Sequence, residues 1–63
     1  MTWKTRRYEV EEQQQLGNWF VVSRHDEYDK ANLVLDNMRM NRERARIVEV
    51  TEERNIVAAT ILP

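Results

Sequence analysis

The chain has 63 residues, which allows one domain near the lower size limit at which a single apolar core outweighs chain entropy. It has no cysteine, which excludes a disulfide framework, thiolate metal sites and a Cys nucleophile, and the default expectation is a cytoplasmic address. Ten Lys and Arg against eleven Asp and Glu give a net charge of −1, so the chain as a whole has no strong pull toward a polyanion.

The opening residues, Met1 to Arg7, carry charge without an apolar run behind them and are expected to be neither a signal peptide nor an anchor. From Thr5 to Gln13 the residues alternate. Tyr8 and Val10 point one way and Arg7, Glu9 and Glu11 the other, the period of a strand with one wet face. Leu16-Gly17-Asn18 holds the only glycine, whose tolerance of positive φ suits a hairpin connection. A second strand follows at Trp19 to Ser23. Its four consecutive apolar residues cannot all face one core, so either Trp19 and Val21 or Phe20 and Val22 lie on the far side of the sheet.

A helix is expected from Asp26 to Asn41. Ser23 with Asp26, and Asp26 with Asp29, fit the capping spacing, and the early carboxylates suit the positive end of the helix dipole. Tyr28, Ala31, Val34, Leu35 and Met38 fall on one stripe, which is the expected core face. Leu33, Asn37 and Met40 form a second, displaced row. It serves either as peripheral packing or as a contact for a partner. After the polar stretch 42–46, a third strand is expected from Ala45 to Thr51, a turn at Glu52 to Asn55, and a fourth strand from Ile56 to Leu62. The fold class expected is α+β: a ββαββ chain forming a mostly antiparallel sheet with one helix packed on one face.

No constellation of catalysis emerges from this order. His25 is the only histidine and stands beside Arg24 and Asp26 at the strand-to-helix junction, without a second titrating group against which to work. Asp26, Glu27 and Asp29 lack the spacing and central glycine of a calcium loop, and a lone glycine excludes a glycine-rich phosphate cradle. No enzyme, cofactor or metal is expected. Two surfaces are. Trp3, Trp19, Val21, Leu33, Asn37 and Met40 are candidates for a protein interface, and a homodimer is one form it could take. Arg39, Arg42, Arg44 and Arg46 are the candidates for a polyanion contact, since guanidinium groups pair with phosphate.

The order of elements resembles small accessory proteins encoded by tailed bacteriophages and related mobile elements. The likeness is carried by an opening W-x-x-x-x-Y-x-V strand (Trp3, Tyr8, Val10), an S-x-x-D helix start (Ser23, Asp26), an A-x-x-V-L-x-x-M helix (Ala31, Val34, Leu35, Met38) and a closing R-I-V-E-V-T strand, Arg46 to Thr51. It implies no catalytic residues. It implies instead a protein that binds, and in some cases inhibits, a host or phage protein.

Overall fold

The computed structural model describes residues 6–14 and 17–60. Four strands and one helix follow in the order β1 (Arg7–Gln13), β2 (Trp19–His25), α1 (Tyr28–Met40), β3 (Ala45–Val50) and β4 (Arg54–Ala59). The strands form one sheet in the order β2-β1-β3-β4, with each neighbouring pair antiparallel. The α+β architecture read from the sequence is the one observed. The segments 1–5, 15–16 and 61–63, and with them Trp3, Leu16 and the end of the expected fourth strand, lie outside the described residues.

Cross-strand partners share a face, so the register sorts every strand residue. On the helix side run the rows His25–Tyr8–Glu49–Asn55 and Ser23–Val10–Ile47–Ala58, with Phe20, Glu12 and Ala45 beyond them. Here α1 lays down Ala31, Leu35 and Met38 against Val10, Ala45 and Ile47, and Tyr8, Val34 and Ala58 pack around this core. The Tyr8 and Tyr28 rings meet edge to face at 5.7 Å, closing the end of the core where the helix begins. The expected apolar stripe is therefore the buried one, although Tyr28 itself stays partly exposed.

The ends of α1 differ from expectation. Its N-cap position is Glu27, and no side chain caps it. Ser23 cannot serve because β2 continues as far as His25. The Ser23 hydroxyl lies 2.8 Å from His25 Nε2 instead. At the other end, Arg42 takes a left-handed conformation, with φ 58°. The Arg42 N–H donates to Arg39 O at 3.1 Å and the Glu43 N–H to Met38 O at 2.9 Å, the two bonds that close a Schellman motif. Glycine usually fills that position. The one glycine of the chain, Gly17, does not need positive φ; its N–H donates to Gln14 O at 2.7 Å, and an added Cβ would sit 3.1 Å from that oxygen.

Both outer strands carry an irregularity. Val22 is the extra residue of β2 opposite the Val10–Glu11 step, and Val57 the extra residue of β4 opposite Ile47–Val48. Strand β4 is held at its end by Thr60. The Thr60 N–H donates to Ala45 O at 2.9 Å, and its hydroxyl accepts from the Ala45 N–H and donates to Glu43 O, both at 3.0 Å.

Two substitutions test these local arguments. Arg42→Gly should raise the unfolding free energy by about 0.5–1 kcal/mol, because glycine meets no Cβ penalty in the left-handed region. Thr60→Val removes the hydroxyl from the Ala45 N–H and should lower it by about 1–3 kcal/mol. Urea denaturation of the two variants beside the parent measures both.

Candidate functional site

Among the described residues, no helix lies over the other face of the sheet. Its rows, read from β2 to β4, are Arg24–Glu9–Val48–Ile56 and Val21–Glu11–Arg46–Ala59, flanked at one end by Arg7–Val50–Arg54 and at the other by Trp19–Gln13. The sequence left open which pair of β2 apolar residues would lie here; Trp19 and Val21 do, and Phe20 faces the helix side. Among the described residues no secondary-structure element packs over this face.

Glu9 and Glu11 stand on a central strand of this face and are only 3% and 6% exposed. The alternation of β1 predicts a wet face for them, and the structure corrects that. Arginines converging from three other strand positions shield them. Arg24 Nε donates to Glu9 Oε2 at 3.1 Å, Arg46 Nε to Glu11 Oε1 at 2.7 Å, and Arg54 Nη2 to both Glu9 Oε1 at 2.9 Å and Glu11 Oε2 at 3.0 Å. Arg7 Nε adds a longer contact of 3.5 Å to Glu9 Oε2. All four carboxylate oxygens are engaged.

Two of these arginines reach across a neighbouring strand. Neighbouring strands are about 4.8 Å apart, so Arg54 must cross β3 to touch the carboxylates of β1. It therefore passes over the strand that carries Val48 and Val50, which are buried on this face. Arg46 crosses β1 in the opposite direction, and its guanidinium lies 4.0 Å from the centroid of the Trp19 ring on β2. Arg24, Arg46 and Arg54 thus join all four strands through two glutamates and one indole.

Burial alone would oppose ionisation of Glu9, but the hydrogen bonds and positive charge of Arg54 and Arg24 outweigh it and hold the carboxyl below its ordinary value. A carboxyl whose pKa is lower in the folded chain than in the unfolded one stabilises the fold above the unfolded value. That contribution is lost as the pH falls through the folded value.

The residues expected to form sites are distributed over different surfaces. Trp19 and Val21 belong to the open sheet face, whereas Leu33, at 68% exposure, Met40, at 81%, and Asn37 form a row on the outer side of α1. Arg46 belongs to the open face, turned away from α1, and so does not share one surface with the other three arginines of the expected basic group. Arg39 on α1 pairs with Asp36, Arg42 occupies the left-handed position after the helix, and Arg44 lies in the loop before β3. The residues that do assemble with Arg46 are Arg7, Glu9, Glu11, Arg24 and Arg54. The period of β1 signals that Arg7, Glu9 and Glu11 share a face, but only the strand register brings Arg24 and Arg54 to them.

Among the described residues there is no cavity, no group of three or more His, Asp and Glu set to hold a metal ion, and no helix long and apolar enough to cross a membrane. Compared with family models, curated proteins and solved structures, the chain has no significant match to any.

The network makes a pH-dependent prediction. Unfolding free energy should fall as the pH is lowered through and below 4.5, the ordinary glutamate value. Glu9→Gln should lower stability at neutral pH by about 1–3 kcal/mol and flatten the acid limb of the profile. Chemical denaturation of both chains across a pH series reads the two effects together.

Proposed function

We propose that this chain is a non-enzymatic protein-interaction module that binds its partner through the open face of the sheet. The observation that carries this reading is the composition of that face: Trp19, Val21 and Ile56 stand among four guanidinium groups fixed by two shielded carboxylates. Arginine and tryptophan are the residue types that dominate binding energy at interfaces. Side chains already held in place also lose less freedom on association. The resemblance to phage accessory proteins favours the same class of function, a protein that acts by binding a host or phage protein. A cytoplasmic setting belongs to the proposal, since a domain this small without disulfides suits a reducing compartment.

The partner in this reading is a different protein. Two copies meeting through this face would bring like-charged arginine surfaces together, so self-association is the less favourable outcome. The second reading, nucleic-acid binding, draws on the gathering of Arg7, Arg24, Arg46 and Arg54 on one surface. It is weaker because single-strand binders present aromatic platforms on which successive bases stack. Among the described residues this face has one indole, and a guanidinium already lies over it.

Capture of a partner from the native host, with its site mapped by substitution, tests the assignment. Ile56→Asp places a carboxylate on the open face at an exposed position and should reduce capture at least tenfold; Leu33→Asp and Met40→Asp, on α1, should leave it unchanged. The opposite pattern would move the interface to the helix. Light scattering over a dilution series should return a constant mass near 7.6 kDa for the isolated chain. Retention on heparin that falls steeply with salt, together with loss of retention in Arg24→Glu, would favour the nucleic-acid reading instead.

A further inference from the structure

We propose that the open face takes an acidic, extended protein segment in which carboxylates alternate with apolar side chains, an inference that rests on the interaction reading above. The first argument is charge. Among the described residues the face carries Arg7, Arg24, Arg46 and Arg54 against Glu9 and Glu11, an excess of two positive charges in a chain whose net charge is −1. Charge complementarity therefore calls for an anionic occupant, although the chain as a whole is not basic.

The second argument is the balance of donors and acceptors. A carboxylate only accepts, and both oxygens of Glu9 and of Glu11 already receive an arginine N–H. A guanidinium offers five N–H donors, yet Arg24 and Arg46 each use one nitrogen, Nε, on the glutamates, and Arg54 uses one, Nη2. Among the described residues the internal network thus satisfies its anions and leaves donor capacity on its cations. Arg24, Arg54 and Arg7 are about half exposed or more, with side-chain exposures of 66%, 51% and 47%. The glutamates act as positioning residues, fixing the forks before a ligand arrives. A further carboxylate can then engage a guanidinium without displacing its first partner.

The third argument selects the class of anion. Val21 and Ile56 are exposed at opposite sides of the face, and no described aromatic ring other than Trp19 lies on it; Tyr8 and Phe20 are on the helix side. Exposed aliphatic side chains beside guanidinium groups match a peptide with acidic and apolar side chains better than a strand of bases. An extended segment presents every second side chain to one surface, which suits the face of a sheet.

Three probes decide between these chemistries: a short synthetic peptide alternating Glu with Leu, the same peptide with Gln for Glu, and an oligothymidylate. Each is titrated into the isotopically labelled full chain while the arginine Nε–H and backbone amide resonances are followed. The Glu peptide should shift the Nε–H signals of Arg24 and Arg54, bind at least tenfold more tightly than the Gln peptide, and weaken as salt is raised. Arg24→Gln, a change at a largely exposed side chain, should weaken it several-fold while the amide spectrum stays that of a folded chain. Equal binding of the Glu and Gln peptides, tighter binding of the oligothymidylate, or no binding of the Glu peptide would overturn the proposal. A captured partner that depends on Ile56 but binds independently of salt would also overturn it, and would leave the interaction reading intact.

Discussion

Two glutamates on a central strand set the terms for half of this molecule. A one-helix domain can cover only one face of its sheet with a second layer, and the apolar side chains on the reverse must be shielded by other means. Here the solution is electrostatic. Glu9 and Glu11 engage arginines from both neighbouring sides, and Arg54 reaches them across β3, where Val48 and Val50 are buried. The charged groups therefore do part of the work of a covering layer. The arrangement also makes the two faces depend on each other, because the register that puts Val10 under the helix is the same register that puts Glu9 beside Arg24 and within reach of Arg54.

This economy has an energetic condition. A shielded carboxylate is tolerable only while its hydrogen bonds are made, and removing one cation leaves a charge with poor access to water. No buried side-chain polar atom among the described residues is without a partner, so the condition is met. The contributions are unequal. Arg54 alone spans both glutamates, whereas Arg24 is mostly exposed and bonds only one, which makes Arg24 the side chain free to gain a new partner at least structural expense. On the interaction reading proposed above, stability and recognition are separated within one network, with Arg54 serving mainly the first and Arg24 available for the second.

Much of this architecture is legible in the sequence because hydrophobic period is a local property. The alternation of Tyr8 and Val10, the helical spacing of Ala31, Leu35 and Met38, and the β-branched run in β3 each identify an element without knowledge of its neighbours. Capping was less legible, since Ser23 satisfies a cap spacing yet is drawn into β2, where strand pairing with Val10 claims it. The open-face network was hidden for a deeper reason. Arg24 and Arg54 are 30 residues apart in sequence, and their convergence on Glu9 follows from a strand order and two register shifts that composition does not encode. The clustering of Arg39, Arg42, Arg44 and Arg46 along the chain was the more visible signal, but the turn between α1 and β3 directs Arg46 to the opposite side.

The two irregularities on the outer strands have a consequence for behaviour in a crowded solution. A long, regular outer strand offers an unbroken row of amide and carbonyl groups on which an unrelated chain can template itself, the first step toward fibrous precipitates. Val22 and Val57 each insert one residue that interrupts that row and bends it. A domain that keeps so many oily side chains near its margins is thereby protected from indiscriminate lateral growth.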